Sequence, residues 1–301
     1  MCQNMKEKEE PRDYPLKLSI RERIEETTSV VSLWLGRPDR VLEPEASRYQ
    51  SFFDSLKPGH FLMVWLPQTP DKEKDQSALD SIPLGVAGVD KTGQQLLITV
   101  QMVGPTTTML SQYKPGDSLG VLGPLGRPFT LPEPEDPGRV VLVGGGVGLA
   151  PLRFLRETLV EQEGDLGNNS KLLYGMKTRK EFLYRKELSD AKGVELFTDD
   201  GTLGTQGFPT DRLARLLETE DISQIFFCGP EPMMKAGYNV IERFFNGLRD
   251  SSSLSVEYSL ETRFYCGVGV CGLCSHEKDP CGKLVCRDGP VFSHHEVGFL
   301  K

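Results

Sequence analysis

Two patterns of hydrophobic and polar positions divide the chain. As far as Leu131, short runs rich in β-branched and aromatic residues alternate with turn-forming glycine, proline and aspartate. Examples are SVVSLWLG, KPGHFLMVWLP, QQLLITVQMVG and KPGDSLGVLGPLG. Regularly spaced strands without a helical period predict a small antiparallel β-barrel. We expect this barrel over residues 16–131, preceded by a polar, disordered tail over residues 1–15.

After Arg139, apolar runs of strand length alternate with helical patterns. The strand-like runs are RVVLVGGG, KLLYGMKT, VELFTDDG, QIFFCGP and SLSVEYSLE, and the helical patterns between them include APLRFLRETLVEQEG, RKEFLYRKELSDA and EPMMKAGYNVIERFFNG. Continuous apolar strands separated by helices predict a doubly wound, parallel α/β sheet, here over residues 139–253. The linker TLPEPEDPG precedes it, and a cysteine-rich segment over residues 254–301 follows it.

Composition and charge narrow the class of protein. The chain is 38% hydrophobic and 26% charged, as globular proteins are. Its net charge of −8 opposes binding to nucleic acid. No apolar run approaches the ~20 residues that span a bilayer, and the charged opening MCQNMKEKEEPRD lacks a signal-peptide core. We therefore expect a cytoplasmic protein without a membrane segment, in which clustered cysteines bind metal more often than they form disulfides.

Near the end of the chain, the stretch CGVGVCGLC crowds cysteines and glycines together. Its spacing, C-x4-C-x2-C followed by a distant fourth cysteine, is the one associated with plant-type [2Fe–2S] clusters. The expected ligands are Cys266, Cys271, Cys274 and Cys286. The glycines between them, at 267, 269 and 272, permit positive φ values and a close approach of backbone N–H groups to the cluster sulfurs.

The fourth ligand and the metal itself stay open at this stage. His276 and Cys281 lie between the third and fourth cysteines, so Cys281 could replace Cys286. We favour Cys286 because LVCRDGP is typical of a short strand that holds its ligand, whereas KDPCGK is typical of a turn. A structural zinc knot is the alternative to an iron–sulfur cluster.

A second candidate site follows the first apolar strand of the α/β region, in VVLVGGGVGLAP at residues 140–151. The strand runs into a glycine loop and then into a helix that we expect to begin near Pro151. Backbone N–H groups and the positive end of that helix would favour a pyrophosphate. The spacing is not the G-x-G-x-x-G fingerprint. The candidate residues are Gly144, Gly145, Gly146 and Gly148.

Two further strand ends point to the same edge of the sheet. Asp199 and Asp200 follow the third strand, and Cys228, Gly229 and Pro230 follow the fourth. Ligands of such sheets bind outside the carboxyl ends of the strands. Carboxylates at this edge accept hydrogen bonds from a ribose 2′-hydroxyl and repel a 2′-phosphate, so NAD is favoured over NADP.

The order of these parts resembles the ferredoxin–NADP reductase family, and within it the electron-transfer subunits of NAD-linked dihydroorotate dehydrogenase. The resemblance runs from about Leu16 to Phe292. It is carried by KPGHFLMVW, KPGDSLGVLGPLG, LVGGGVGLAP, YGMKT, TDDGTLGTQGF, CGPEPMM and CGVGVCGLC with VCRDGPVF. It implies a barrel that binds FAD, an α/β domain that binds NAD, and a cluster that exchanges electrons with another subunit.

The resemblance also implies the partner and the place of one residue. The partner is the FMN-containing dihydroorotate dehydrogenase catalytic subunit, in a heterotetramer that serves pyrimidine biosynthesis. Electrons from that subunit would pass through the [2Fe–2S] cluster and FAD to NAD+. Cys228 would lie beside the nicotinamide and order it for hydride transfer.

The FAD contacts implied by the resemblance fall on three barrel segments. They are Ile82, Pro83, Leu84, Gly85, Thr99, Val100, Gln101, Thr106 and Thr107. Many relatives carry Arg-Pro-Ile-Ser in the first segment and Gly-Thr in the last. In these two segments, this chain has Ile82-Pro83-Leu84-Gly85 and Thr106-Thr107. It therefore lacks the arginine and the serine, and only backbone N–H groups and threonine hydroxyls remain to bind the FAD phosphates.

Other functions stay open at the level of sequence. A reductase subunit of a hydrogenase, a sulfur reductase or a ferredoxin–NADP transhydrogenase would share the same tail and differ in its partner. A redox sensor would bind nucleotide and cluster without flavin, and a zinc-stapled module would contain no iron. His294 and His295, in FSHHEVGFLK, are typical of a solvated tail.

Overall fold

The structure is a computed structural model that describes residues 15–41, 45–67, 81–132, 139–161, 169–247, 254–275 and 282–300. Within these ranges, no helix is long and apolar enough to cross a bilayer. Nearly all of the tail predicted for residues 1–15 lies outside the described residues, and so do the alternative ligands His276 and Cys281.

Six strands close into an antiparallel barrel, which confirms the predicted fold of this part of the chain, and their order is β1-β2-β5-β4-β3-β6. The strands are β1 Leu16–Thr27, β2 Val30–Gly36, β3 Phe61–Trp65, β4 Ile82–Val89, β5 Gln95–Gln101 and β6 Ser118–Leu125. On β1, the alternate residues Leu16, Leu18 and Ile20 are buried inside the barrel. Helix α1 (Glu45–Asp54) packs on the barrel, and helix α2 (Pro105–Leu110) follows β5.

The remaining strands form one seven-stranded sheet in the order β10-β9-β8-β7-β11-β12-β13. Its strands are β7 Arg139–Gly145, β8 Ser170–Met176, β9 Val194–Thr198, β10 Thr205–Gln206, β11 Ile222–Cys228, β12 Ser255–Ser259 and β13 Val291–Ser293. Every pairing is parallel except that of β13, which runs antiparallel to β12. The five predicted strands are present, and β10 and β13 extend the sheet at its two edges.

Helices cover both faces of this sheet, which confirms the doubly wound architecture. They are α3 Leu149–Glu161, α4 Arg185–Leu188, α5 Pro209–Thr219, α6 Glu231–Gly247 and α7 Val285–Asp288. Val140 and Leu142 of β7 share a buried cluster with α3, whereas Val141 and Val143 share one with α5 and α6. Helix α3 is preceded by a 3-10 turn over Gly146–Gly148, so the helical backbone begins before Pro151.

Two local predictions of secondary structure are wrong. The pattern RKEFLYRKELSDA forms only a 3-10 turn (Arg179–Glu181) and the one-turn helix α4. Between these two turns, Phe182, Leu183 and Tyr184 are all buried, and Tyr184 adopts a left-handed backbone with φ of 50°. Cys286 lies on the helical turn α7 and not on a strand, because strand pairing resumes only at Val291.

The expectation of a solvated tail is also wrong for His294, although His295 is exposed. His294 Nε2 lies 3.0 Å from Glu242 Oε1, and His294 Nδ1 lies 3.1 Å from the Tyr258 hydroxyl. Its ring stacks on Tyr238 with 4.5 Å between the ring centroids. Strand β13 places His294 against α6, which a local polar pattern does not reveal.

Candidate functional site

A cleft of about 420 Å³ lies where the barrel, the parallel sheet and the C-terminal segment meet. The predicted site residues that line it are Pro83, Leu84, Gly85, Thr99, Gln101, Thr107 and Cys228. The structure therefore brings together residues predicted to contact the flavin and the residue predicted to lie at the nicotinamide. Ligand sites favour such junctions between domains.

Three of the predicted flavin contacts are not among the lining residues. Val100 is fully buried in the barrel interior, because alternate residues of β5 face opposite sides. Ile82 packs against the same interior cluster. Thr106 lies on α2, outside the lining of the cleft.

The polar groups on the barrel side of the cleft are held by hydrogen bonds. Thr99 Oγ1 lies 2.9 Å from Ser32 Oγ and 2.6 Å from the hydroxyl of Tyr184. Thr107 Oγ1 accepts hydrogen bonds from the N–H groups of Val103 and Gly104, at 3.0 and 3.1 Å. These contacts fix the threonine side chains in the cleft wall.

Gly85 contributes no side chain to the wall of the cleft. A Cβ placed there would lie 3.7 Å from the nearest atom of Pro151, which is ordinary van der Waals contact. The glycine is therefore not required by packing, and its lack of a side chain leaves room in the cleft.

On the sheet side, the two predicted strand ends touch each other. A Cβ on Gly148 would lie 2.6 Å from the backbone of Cys228 and of Gly229, and one on Gly145 would collide with Met233 and Pro230. Only glycine permits this approach of the β7 loop to the β11 loop. Gly144 packs against α3, and Gly146, with φ of 53°, faces open space. The glycine loop and the Cys228-Gly229-Pro230 turn thus form a single surface.

Asp199 and Asp200 are exposed at the same edge, but they follow β9, which lies two strands from β7. They are outside the lining of the cleft. Asp200 Oδ1 accepts hydrogen bonds from the backbone N–H and the hydroxyl of Thr202, at 3.0 and 2.6 Å. The hydrogen bond from the Thr202 hydroxyl is the main reason that the pKa of Asp200 is lowered. The Asp200 carboxylate therefore stabilises the turn that leads to Thr202, whereas the Asp199 carboxylate takes no part in these hydrogen bonds.

Cys228 is buried at the end of β11 and faces the cleft. Burial raises the pKa of its thiol, the Glu261 carboxylate raises it further, and a hydrogen bond with Ser259 opposes the rise. The group remains a neutral thiol at physiological pH and has no thiolate with which to attack a substrate. It can contact a flat ligand through its apolar sulfur.

Several other residues that line the cleft have no counterpart among the sequence predictions. They are His60, Ser259, Glu261 and Phe264. The signal for Ser259 and Glu261 was available, since Ser259 ends the last parallel strand and Glu261 follows at its carboxyl end. His60 and Phe264 carry no such signal, because their position depends on how the barrel meets the C-terminal segment.

In the cysteine loop, Gly267, Gly269 and Gly272 all have positive φ, at 71°, 80° and 74°. The resulting turns aim backbone N–H groups at sulfur. The N–H groups of Val270 and Cys271 lie 3.3 and 3.4 Å from Cys266 Sγ, and that of Gly269 lies 3.2 Å from Cys286 Sγ. Only glycine adopts such a backbone without strain.

The four predicted thiols meet in two pairs. The Sγ atoms of Cys274 and Cys286 are 3.1 Å apart, and the side chain of Cys271 hydrogen-bonds to Cys266. Among the described residues, no three His, Cys, Asp or Glu side chains converge on a point that would hold a single ion. Two thiolates on each of two irons is the arrangement of a [2Fe–2S] cluster, whereas zinc takes four ligands at one point. The donor set and the glycine backbone therefore fit a two-iron cluster.

The two thiol pairs differ in their surroundings. Hydrogen bonds from backbone N–H groups, that of Cys271 first, lower the pKa of Cys266 to about 6. Burial, together with the neighbouring Cys274, raises the pKa of Cys286 to about 12. Cys271 is exposed, and Cys274 and Cys286 are buried, so one edge of the loop faces solvent and the other faces the protein.

The cysteine loop and the cleft share a wall. Phe264, in the cleft, packs on Phe61 of β3 with 4.9 Å between the ring centroids. Met63 of the same strand lies directly under Gly267, where any Cβ would collide with it. A continuous line of packed side chains thus leads from the cleft to the cluster loop.

Comparisons with known proteins assign this site to a family. Residues 142–238 match the oxidoreductase NAD-binding domain, and residues 261–298 match the iron–sulfur cluster binding domain of dihydroorotate dehydrogenase B. The chain is 33% identical over 282 residues to the probable dihydroorotate dehydrogenase B (NAD(+)), electron transfer subunit, of Methanocella arvoryzae. That match covers 92% of this chain and 90% of the relative. The protein of the same name from Methanocaldococcus jannaschii is 32% identical over 246 residues, 82% of each chain.

The chain belongs to the family of dihydroorotate dehydrogenase B electron transfer subunits. Among solved structures, the chain is similar to one from the structure of NADH-dependent reduced ferredoxin-NADP oxidoreductase, which was studied for flavin-based electron bifurcation. The TM-score is 0.72 and the identity 26%, over 95% of this chain and 90% of that one. The cysteine loop described above lies within residues 261–298, the part of this chain that matches the cluster domain.

Proposed function

We propose that this chain is the electron-transfer subunit of an NAD-linked dihydroorotate dehydrogenase. It would take electrons from an FMN-containing catalytic subunit, in a heterotetramer, and pass them through a [2Fe–2S] cluster and FAD to NAD+. The oxidation of dihydroorotate in pyrimidine biosynthesis would belong to the partner. A reducing, cytoplasmic location is part of this proposal, since the cysteines must stay available as ligands.

One observation carries the proposal: a single cleft joins the barrel residues expected at a flavin, Cys228, and Phe264, which adjoins the cluster loop. A bound flavin supplies the chemistry that links the two ends, because it exchanges electron pairs with nicotinamide and single electrons with an iron–sulfur cluster. The protein's task is to hold these groups side by side and to keep water from the reacting atoms.

Particular residues would perform that task. Thr99, fixed by Ser32 and Tyr184, and Gln101 offer polar contacts on the barrel side. The loop containing Gly146 and Gly148 offers backbone N–H groups to the pyrophosphate of NAD. Cys228 offers an uncharged sulfur against which the nicotinamide ring would lie.

The partner would dock on the exposed side of the cysteine loop. Four of its large apolar residues are accessible: Tyr265 is 65% exposed, Val268 45%, Val270 83% and Leu273 56%. Exposed apolar patches of this kind mark interaction sites. Covering this face would bring the partner's redox group close to Cys271, which is the exposed ligand.

A visible absorption spectrum of the protein purified without oxygen tests the proposal. We expect flavin bands together with the shoulders of a [2Fe–2S] cluster, and both should bleach when NADH is added. A cluster spectrum without flavin would favour the redox sensor. A colourless, zinc-containing protein would overturn the electron-transfer function altogether.

A second candidate function keeps the same electron path and changes the partner. The similarity to the solved ferredoxin–NADP oxidoreductase chain, over 95% of this chain, favours it. The partner would then be another subunit of a ferredoxin–NADP transhydrogenase. Co-expression with each candidate partner, followed by size-exclusion chromatography, distinguishes the two functions.

A further inference from the structure

The cleft contains a histidine to which the proposed function gives no role. His60 lines the cleft and immediately precedes β3. Its backbone N–H donates to the Lys57 carbonyl at 3.1 Å, and its own carbonyl accepts the N–H of Val86 at 3.0 Å. Phe61, the next residue, pairs with Gly85 across β3 and β4. The backbone of His60 is therefore fixed on two sides, close to the position where the cleft wall has no side chain.

The imidazole ring of His60 is held in one tautomer. Its Nδ1 atom accepts a hydrogen bond from the backbone N–H of Lys57 at 3.1 Å, so Nδ1 carries no proton. Burial, helped by the charge of Lys57, lowers the pKa of His60 to about 4. The ring is therefore neutral at physiological pH, and its single N–H group is at Nε2.

Within the part of the chain that the structure describes, Nε2 of His60 has no hydrogen-bond partner, so its N–H is left for a ligand. The threonine hydroxyls of the cleft are already engaged. Thr99 Oγ1 lies 2.9 and 2.6 Å from two other hydroxyl groups, and Thr107 Oγ1 donates to the Gly104 carbonyl at 3.0 Å. His60 therefore presents a donor that is fixed in place and not used by the protein itself.

We propose that the Nε2–H group of His60 donates a hydrogen bond to the isoalloxazine ring of the bound flavin. The inference rests on the proposed function, since it needs a flavin in the cleft. The ring is a better acceptor for this group than the pyrophosphate, because a neutral imidazole has no charge to offset a phosphate, whereas the isoalloxazine presents uncharged oxygen and nitrogen acceptors. Gly85 contributes no side chain at this part of the wall, and His60 supplies the donor beside it.

Three substitutions separate the two nitrogens of the ring. In His60→Asn, the side-chain oxygen takes the place of Nδ1 and can accept the Lys57 N–H, but the amide nitrogen does not reach the place of Nε2. In His60→Gln, the amide nitrogen reaches the place of Nε2 and keeps a donor there, while the contact with Lys57 is lost. His60→Leu keeps apolar bulk and removes both groups.

The full-length protein, depleted of flavin, is titrated with FAD and with riboflavin, which has no phosphate. We expect His60→Asn and His60→Leu to weaken the binding of both flavins roughly fivefold, and His60→Gln to stay within about twofold of the wild type. In urea denaturation of the flavin-free protein, the order should differ: His60→Gln should lower the midpoint and His60→Asn should keep it. The control His295→Asn changes an exposed histidine outside the cleft and should resemble the wild type in both measurements.

Equal affinity of the His60→Gln and His60→Leu variants for FAD would overturn the inference. So would a loss confined to FAD, which would place the contact on a phosphate, or an affinity that simply follows the stability of each variant. If His60→Asn does not fold, the comparison of His60→Gln with His60→Leu decides. Failure of the proposed function looks different, because the wild type itself would then bind neither flavin.

Discussion

The hydroxyl of Tyr184 lies 2.6 Å from the hydroxyl of Thr99 and joins the α/β domain to the wall of the cleft. Two further contacts cross the same boundary. The backbone N–H of Tyr184 donates to Glu26 at 2.9 Å, and Arg153 Nη1 donates to the carbonyl of Ala87 at 2.9 Å. The two domains are therefore held in register close to the place where flavin and nicotinamide would meet.

The first prediction concerns this boundary. Tyr184→Phe removes the buried hydroxyl and leaves Thr99 with Ser32, so we expect a loss of about 1 kcal/mol in the free energy of unfolding. Urea denaturation measures it. Tyr265→Phe removes an exposed hydroxyl and should change the stability by less than about 0.5 kcal/mol. Equal stabilities of the two variants would mean that the Tyr184 contact contributes nothing.

The second prediction identifies the fourth cluster ligand. Cys286→Ser should abolish the [2Fe–2S] absorbance, because Cys286 Sγ stands 3.1 Å from Cys274 Sγ in the loop. Cys281→Ser is the matched control and should keep a full cluster. Iron and acid-labile sulfide, measured on both variants purified without oxygen, provide the check. The reverse pattern would assign the ligand to Cys281.

The third prediction concerns Gly85, which contributes no side chain to the wall of the cleft. Gly85→Ser places a hydroxyl where a Cβ has only ordinary contact with Pro151, so the fold should be unaffected. One added hydrogen bond of about 1 kcal/mol should tighten flavin binding roughly fivefold. Titration of the flavin-depleted protein with FAD measures the change. Gly85→Ala adds the same Cβ without the hydroxyl, and if it tightens binding as much, the hydroxyl is not the cause.

The fourth prediction concerns acid stability. Desolvation would raise the pKa of Glu296, but hydrogen bonds from Arg127, Lys283 and Ser293 outweigh it and lower the pKa to about 2. A carboxyl with a lowered pKa stabilises the fold at neutral pH. This contribution is lost as the pH falls from about 4.5 towards 2, since the unfolded state binds the proton first.

Glu296→Gln should therefore lower the thermal unfolding midpoint at pH 7, and the difference from the wild type should shrink as the pH falls from about 4.5 towards 2. The expected loss at pH 7 is about 1–2 kcal/mol, reduced by the partial exposure of the pair. The control is Glu218→Gln, which removes an exposed carboxylate on α5. A constant difference at every pH would show that the glutamate acts through packing and not through its charge.

The fifth prediction concerns the contact between the two strand-end loops. Gly148→Ala would drive a Cβ into the backbone of Cys228 and Gly229, so the loops must separate at a cost of about 1–3 kcal/mol. The affinity for NADH, measured by fluorescence titration, should fall together with the stability. Gly247→Ala, whose Cβ would meet nothing within 4 Å, should lower neither.

Much of the fold could be predicted because its signals are local. Period-2 strands, continuous apolar strands and helical faces each appear within about ten residues, and the glycines of the cysteine loop indicated the positive φ values that the structure shows. Where burial depends on distant partners, prediction failed. Tyr184 is buried through contacts with the barrel, and His294 through contacts with α6, and both sets of partners are far away in sequence. His60 and Phe264 became visible as cleft residues only once the three parts of the chain had been assembled.

Strand β13 returns the chain to the parallel sheet after the cysteine loop, and its pairing with β12 covers that edge of the sheet. A protein shortened after β12 would lose more than the cluster. The backbone N–H and C=O groups of β12 that now bond to Val291–Ser293 would face solvent, and such an unpaired edge recruits strands from other molecules. The cluster segment therefore also protects the sheet from aggregation. A protein shortened after β12 would need another element to pair with β12 if it is to remain monodisperse.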